Sequence, residues 1–277
     1  MFIKKLCLVI VLTLFSLTGI ASPNIQPYNE IGFFIGSSYY LGELNKKHFP
    51  VNIMQPAGGL LYRHNLNGHY SFRFFGNYTE IKGYDSYSNN DFEKNRNLSF
   101  KSMIIEAGAQ LEFNFYEFAL VKDARRIITP FVFGGINYFY FNPQANNGSG
   151  WVDLQPLGTE GQGTSKYGDR KKYIRHQIAV PVGLGLKFKI KRFAFTTEWG
   201  IRKTFTDYID DISTTYVDPS VLGGQAAQLA NRSQVPSNKI IDKQRGDASN
   251  KDWYVFTGLT ISFNINKEAV CPDFRSK

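Results

Sequence analysis

The side chains of this 277-residue chain best suited to chemistry are carboxylates: Asp207, Asp210, Asp211 and Asp218 lie close together near its last third. Hard cations take clustered carboxylates, so these four are the candidate metal ligands, but their spacing is not that of an EF-hand loop and no metal is assigned. The four histidines, His48, His64, His69 and His176, fall on different segments without a His-x-x-x-His interval, which argues against a zinc site. His64 and His69 flank an Asn67-Gly68 turn and read as interfacial polar residues. Gly158-Thr159-Glu160-Gly161-Gln162-Gly163-Thr164-Ser165 has the glycine content of a phosphate-binding loop, yet lacks the lysine after Gly163 and a strand feeding a helix. It reads as a flexible outer loop running into the basic group Lys166, Arg170, Lys171, Lys172 and Arg175, charges able to meet lipid phosphates. No Ser/His/acid set assembles. Catalytic residues, cofactor-binding residues and a cofactor are therefore not expected.

The cysteines depend on the compartment. Met1–Ala21 carries Lys4 and Lys5, an apolar run from Leu6 to Leu17, and small residues before Ser22-Pro23. That is the pattern of a secretory signal peptide cleaved after Ala21. Cleavage would leave 256 residues, lower the formal charge from +9 to +7 and remove Cys7. Cys271 then stands alone in a polar tail, either as a free thiol or as half of an intermolecular bridge. A basic exported chain whose charges form no stripe points to anionic lipid or polysaccharide, and not to nucleic acid.

These residues must be carried by strands. Phe (24), Tyr (16) and Gly (25) are abundant, while the mean hydropathy is only −0.27. No run of about 18 apolar residues follows the first twenty, which excludes a membrane-spanning helix. Alternation is strict instead. Ile178, Val180, Val182, Leu184, Leu186, Phe188 and Ile190 oppose Gln177, Ala179, Pro181, Gly183, Gly185, Lys187 and Lys189. The same pattern spans 193–205, 253–265 and 105–115, with further strands over 31–41, 57–64, 70–81 and 131–141. Asp218 caps a short helix predicted over Pro219–Asn231.

Strands of ten or so residues match the tilted length that crosses a bilayer. The links after the second, fourth and sixth strands are short and the others long, which sorts long loops to one end. The expectation is all-β: an eight-stranded antiparallel up-and-down transmembrane β-barrel of OmpA-like size, with long extracellular loops and both termini periplasmic. Residues 22–265 would be the barrel, and 266–277 a periplasmic tail. Its narrow lumen would be filled by side chains, with Glu106, Glu112, Lys187, Glu198 and Arg202 as structural charges. Glu198 and Arg202 are about 13 Å apart along one strand, so each needs a partner on a neighbouring strand. Tyr39, Tyr40, Tyr70, Phe139, Phe141, Trp199 and Trp253 would form interfacial girdles.

The segment from Thr196 to Tyr216, with its Thr206-Asp207-Tyr208-Ile209-Asp210-Asp211-Ile212 run, resembles the PorG-like outer-membrane barrels of Bacteroidota. So do Leu154–Gly163, Tyr39–Asn45 and Thr129–Phe133. The resemblance implies a component of the type IX secretion system that anchors the periplasmic ring of the lipoprotein PorK/GldK and its partner PorN/GldN. It also implies that Cys271 is the residue bridging to the ring lipoprotein. Function is thus expected to be non-enzymatic, in contact with outer-membrane lipid and lipopolysaccharide. The alternatives are an outer-leaflet lipid-modifying barrel enzyme and a structural or adhesin barrel.

Overall fold

The computed structural model describes residues 25–120 and 127–266. The leader read over 1–21 and the tail cysteine, Cys271, lie outside the described residues. Nine strands follow the alternating stretches: β1 Tyr28–Leu41, β2 Gln55–Asn65, β3 Tyr70–Tyr84, β4 Ser99–Asn114, β5 Ile128–Asn146, β6 Trp151–Asp153, β7 His176–Ile190, β8 Phe193–Thr204 and β9 Trp253–Asn264. All pairings are antiparallel, and β4 pairs with β5 to close the sheet. The three-residue β6 pairs only with the upper end of β5, so the closed barrel has eight strands. The first and last of these pair with each other, from Glu30 opposite Asn264 to Leu41 opposite Trp253. Closure gives each of the eight barrel strands a partner on both sides, which a structure surrounded by hydrocarbon requires.

Side-chain parity turns the molecule inside out relative to a water-soluble protein. Leu60 is 72% exposed and Leu184 57%, with Ile31, Phe33, Phe74, Ile105 and Ile136 also on the outer face. Arg63, Glu106, Glu112, Lys187 and Arg202 are buried inside. Glycines on the inner face make room for large rings: a Cβ on Gly200 would come within 2.6 Å of the Phe133 ring, and one on Gly183 would also strike it.

The links sort by length as expected. Residues 66–69 and 191–192 make tight turns at one end, whereas 42–54, 85–98, 147–175 and 205–252 all leave from the other. At the short-turn end, Phe118, Ala119 and Leu120 fold across the mouth against Tyr28 and Ala194. The Leu120 amide donates to the Tyr28 hydroxyl at 3.1 Å, and Asn264 Nδ2 donates to the Leu120 carbonyl at 3.1 Å. At the long-loop end, Tyr40, Phe100, Phe139, Phe141, Tyr254 and Phe256 pack with Ile209 and Ile212 into an apolar layer. Described residues thus lie across both mouths of the barrel.

Several expectations change. Tyr40, Phe139 and Phe141 belong to this inner layer and not to an interfacial girdle, because parity turns them inward. Tyr39 does face outward, but it is covered and accepts a hydrogen bond from Trp199 Nε1 at 3.2 Å. The helix expected over Pro219–Asn231 is split into a 3-10 turn, Pro219–Val221, and a helix, Gly224–Ala230. The break falls at Leu222 and Gly223, which are extended (ψ 145° and 155°). Asp218 does cap the first piece through the Ser220 amide.

Candidate functional site

Two polar regions compete for attention, and both are built from residues forced inward by strand parity or by loop folding. In the lumen, Glu112 is the hub. Its carboxylate lies 2.6 Å from Lys187 Nζ, 2.9 Å from Arg63 Nε and 3.3 Å from Arg73 Nε. Arg63 continues to Glu30 at 2.6 Å, and Arg73 to Glu198 at 2.6 Å. Glu106 holds Arg202 at 3.1 Å and accepts from Tyr254, Asn137 and Asn77 at 2.7 to 2.8 Å. Ring faces complete the cations' surroundings, with Arg73 over Phe133, Lys187 over Phe131 and Arg202 over Phe256.

All five charges expected in the lumen are there and paired. The partners of Glu198 and Arg202, however, do not come from the neighbouring strands β7 and β9. They reach across the barrel from β3 and β4. Sequence reasoning missed Glu30, Arg63 and Arg73, which complete the network. Parity carried the signal: Arg73 sits between the outward Phe72 and Phe74.

The second region is the cap formed by the long loops. Arg96, from the helix Asp91–Arg96, grips Asp85 with two hydrogen bonds of 2.7 and 2.8 Å. Its third nitrogen donates to the Arg245 carbonyl at 2.6 Å. Arg245 in turn meets Glu160 at 2.8 Å, and Glu160 accepts from the Ser213 and Thr214 amides. The stretch Gly158–Gly163, expected to be a flexible outer loop, is therefore built into the cap: Thr159, Glu160 and Gln162 are buried. Positive φ at Gly158, Gly161 and Gly163 (63°, 80° and 81°) lets it turn tightly. The basic group beyond it also serves the loops. Arg170 donates to the Glu160 and Thr215 carbonyls, Lys172 to the Pro156 carbonyl, and Arg175 to Asn142.

The four candidate metal ligands are not brought together. Asp211 adopts the left-handed conformation (φ 66°), which sends it and Asp210 different ways. Asp211 accepts from Tyr173 at 2.6 Å and from Thr159. Asp210 points to Tyr40, and Asp218 pairs with Lys166 at the surface. Among the described residues no three His, Cys, Asp or Glu side chains converge to hold a metal ion.

What does assemble is a carboxyl group of different membership: Asp210 and Asp252 on the Tyr40 hydroxyl, with the Glu43 and Asp207 carboxylates near enough to add repulsion. Tyr40 lies 2.6 Å from Asp210 and 2.5 Å from Asp252. Burial pushes every one of these acids up. Glu43 and Asp252 reach about 7 and Asp207 about 8, the last helped by the Asp252 carboxylate. Burial, then Asp252 and Glu43, raise Asp210 as well. Glu43 and Asp252 carried no sequence signal, since each stands alone in a loop far from the Asp207–Asp211 run. Beside this group a cleft of about 650 Å³ opens between Glu43, Lys46, Phe92, Arg96, Lys251 and Trp253.

A closed antiparallel barrel with an apolar exterior, a charge-paired interior and its long loops at one end defines the outer-membrane type of β-barrel. The chain belongs to the family described as Domain of unknown function (DUF6089), whose model matches residues 4–220. No curated protein matches it. Several solved structures are similar, three of which illustrate the fold. One is Ail, the attachment invasion locus protein of Yersinia pestis, solved in complex with the heparin analogue sucrose octasulfate: 9% identity, 87% of this chain and 99% of that one, TM-score 0.39. The others are Neisserial surface protein A and OprG from Pseudomonas aeruginosa, each at 8% identity over 86% of this chain and 97% of its own, TM-score 0.39.

Proposed function

We propose that the protein is a non-enzymatic barrel of the outer membrane that acts by position: it anchors the periplasmic PorK/GldK and PorN/GldN ring of the type IX secretion system. In this reading the long loops face outside, lipid and lipopolysaccharide surround the barrel, and both termini are periplasmic. One observation carries it. The lumen is filled by a balanced ion network, corked by Phe118–Leu120 at one end and capped at the other, which leaves the lipid face and the two ends as working surfaces. The segments from Thr196 to Tyr216 and Leu154 to Gly163 support the secretion-system assignment through their resemblance to PorG-like barrels.

The tail beyond β9 then grips the ring, with Cys271 as the covalent link to the lipoprotein. Copurification from detergent-solubilised membranes tests the assignment, and non-reducing electrophoresis tests the link. Wild-type protein is expected to bring down both ring proteins and to show a disulfide-linked species that Cys271→Ser abolishes. Purification free of ring proteins would overturn the anchoring reading.

The adhesin alternative draws on one observation, the ordered cap with its cleft beside Lys46, Phe92 and Trp253. Trimming residues 224–240 would impair surface binding and spare secretion if it held. The lipid-modifying reading has less support. His64 is bonded to Asn29, His69 to the Asn114 carbonyl, and His176 stacks on Tyr138 and tilts against Tyr140, so each of the three has a structural partner.

A further inference from the structure

The cap poses a problem of proton counting. A tyrosine hydroxyl has one hydrogen to donate, and an ionised carboxylate can only accept. Yet the Tyr40 oxygen lies 2.6 Å from Asp210 Oδ2 and 2.5 Å from Asp252 Oδ1, while already accepting from the Glu43 amide at 3.0 Å. Tyr40 can satisfy one acid. The other contact would set two acceptors against each other unless that acid carries a proton and donates it back.

The surrounding charges relieve this only in part. From the helix Asp91–Arg96, Arg96 is hydrogen-bonded to Asp85 and stands 3.6 Å from Glu43, and it bonds neither Asp210 nor Asp252. From the last loop, Arg245 is committed to Glu160 and to the Asp211 carbonyl, and Lys251 donates to the Ala248 carbonyl. From the first loop and the end of β8 come two further acids, Glu43 and Asp207, of which Asp207 forms no ion pair among the described residues. A metal ion could neutralise such a group, but no trio of carboxylates converges on a point.

We infer that Tyr40, Asp210 and Asp252 form a proton-binding site, and that its bound proton latches the long-loop cap onto the barrel. The latch joins three elements. Tyr40 belongs to β1, Asp252 leads into β9, and Asp210 lies in the loop, which Tyr40 holds through Asp210 and Asp252 holds through the Ile209 amide (2.9 Å), while the Ile212 amide on Asp210 (2.9 Å) fixes the local turn. Loss of the proton leaves paired anions buried at the root of that loop, and swinging the loop into water is the available relief. The upward displacement of Asp252 and Asp210 by burial agrees with this geometry.

The sign follows from linkage. Acids whose affinity for protons is higher in the closed form stabilise that form fully below the ordinary carboxylate range near 4. This contribution is lost as pH rises through about 7 for Asp252. Hydrogen exchange of the 207–213 amides in the full-length barrel in micelles, corrected for intrinsic rates, reads the effect. Protection is expected to fall about tenfold per pH unit between pH 5 and 7 for each proton released. Asp252→Asn supplies a permanent N–H donor, so the slope of log protection against pH should fall by about one proton, with Asp210→Asn giving the same result. A flat wild-type profile, or a slope unchanged in both variants, would overturn the latch. Should the variants fail to fold, infrared spectra of 13C-aspartate-labelled wild type provide the test: a protonated aspartic acid band is required at pH 6 and must disappear by pH 9.

Discussion

The lumen and the cap are both buried, both rich in charge and only a few residues apart along the same strands, yet they are balanced in opposite ways. Among the described residues, the buried charges on strands are Glu30, Glu106, Glu112 and Glu198 against Arg63, Arg73, Lys187 and Arg202. The buried charges in loops are Asp85, Glu93, Glu160, Asp207, Asp210, Asp211 and Asp252 against Arg96 and Arg245 alone. Four against four can be ionised throughout. Seven against two cannot: Lys46 reaches in from the surface to hold Glu93 ionised, but acids left without a cation, such as Asp207, Asp210 and Asp252, are costly to bury charged and hold a proton instead. The contrast assigns roles: the lumen is a permanent brace, while the cap responds to its surroundings.

The sharpest way to break the contrast is to unbalance the brace. Glu112→Gln keeps the shape of the hub and strands the charges of Arg63, Arg73 and Lys187, so the barrel should lose about 3–5 kcal/mol. Urea unfolding of the barrel in bilayers measures it. The lipid face comes next: Leu184→Arg, outward and near the middle of β7, should cost about 2–4 kcal/mol in the same assay. In micelles that lack a bilayer core the penalty should shrink, which separates lipid exposure from simple misfolding.

A pH step addresses the cap alone. Glu43 and Asp252 titrate near 7 and Asp207 near 8 in the closed form, all raised above the ordinary carboxylate value. Closure should therefore weaken as pH rises from 5 to 8 and level off above it. Protease cleavage within residues 205–252 should become roughly a hundredfold easier over two pH units for each proton lost, with β-sheet circular dichroism unchanged. The smallest effect is expected from Asp218→Ala. Its ion pair with Lys166 is at the surface, where such pairs contribute little, and the unfolding midpoint should not move.

How much of this was legible in the sequence depends on the range of the interaction. Alternation is local, so all eight barrel strands could be read, though β4 begins six residues earlier and β5 ends five residues later than the reading placed them. β6 was invisible because three residues carry no period. The inward direction of Glu198 and Arg202 was equally legible. Their partners were not, since contact across a lumen depends on barrel radius and register and not on adjacency in the sheet. The cap was least legible. Glu160 and Arg245 are separated by 85 residues and meet only because two long loops fold over the same mouth. The acid run Asp207–Asp211 suggested one shared site, but a single left-handed residue divided it between two.

The pairing of β1 with β9 has a consequence for biogenesis. Residues separated by more than two hundred positions, such as Leu41 and Trp253, must meet before the sheet closes. Until the final strand is synthesised, β1 has an unsatisfied edge, and its neighbours offer a greasy surface to any other chain. Such long-range closure is slow in a free polypeptide. The nascent protein therefore has to be escorted unfolded and sealed in one late step, and a chain truncated anywhere within residues 253–264 should be cleared as an unclosed sheet.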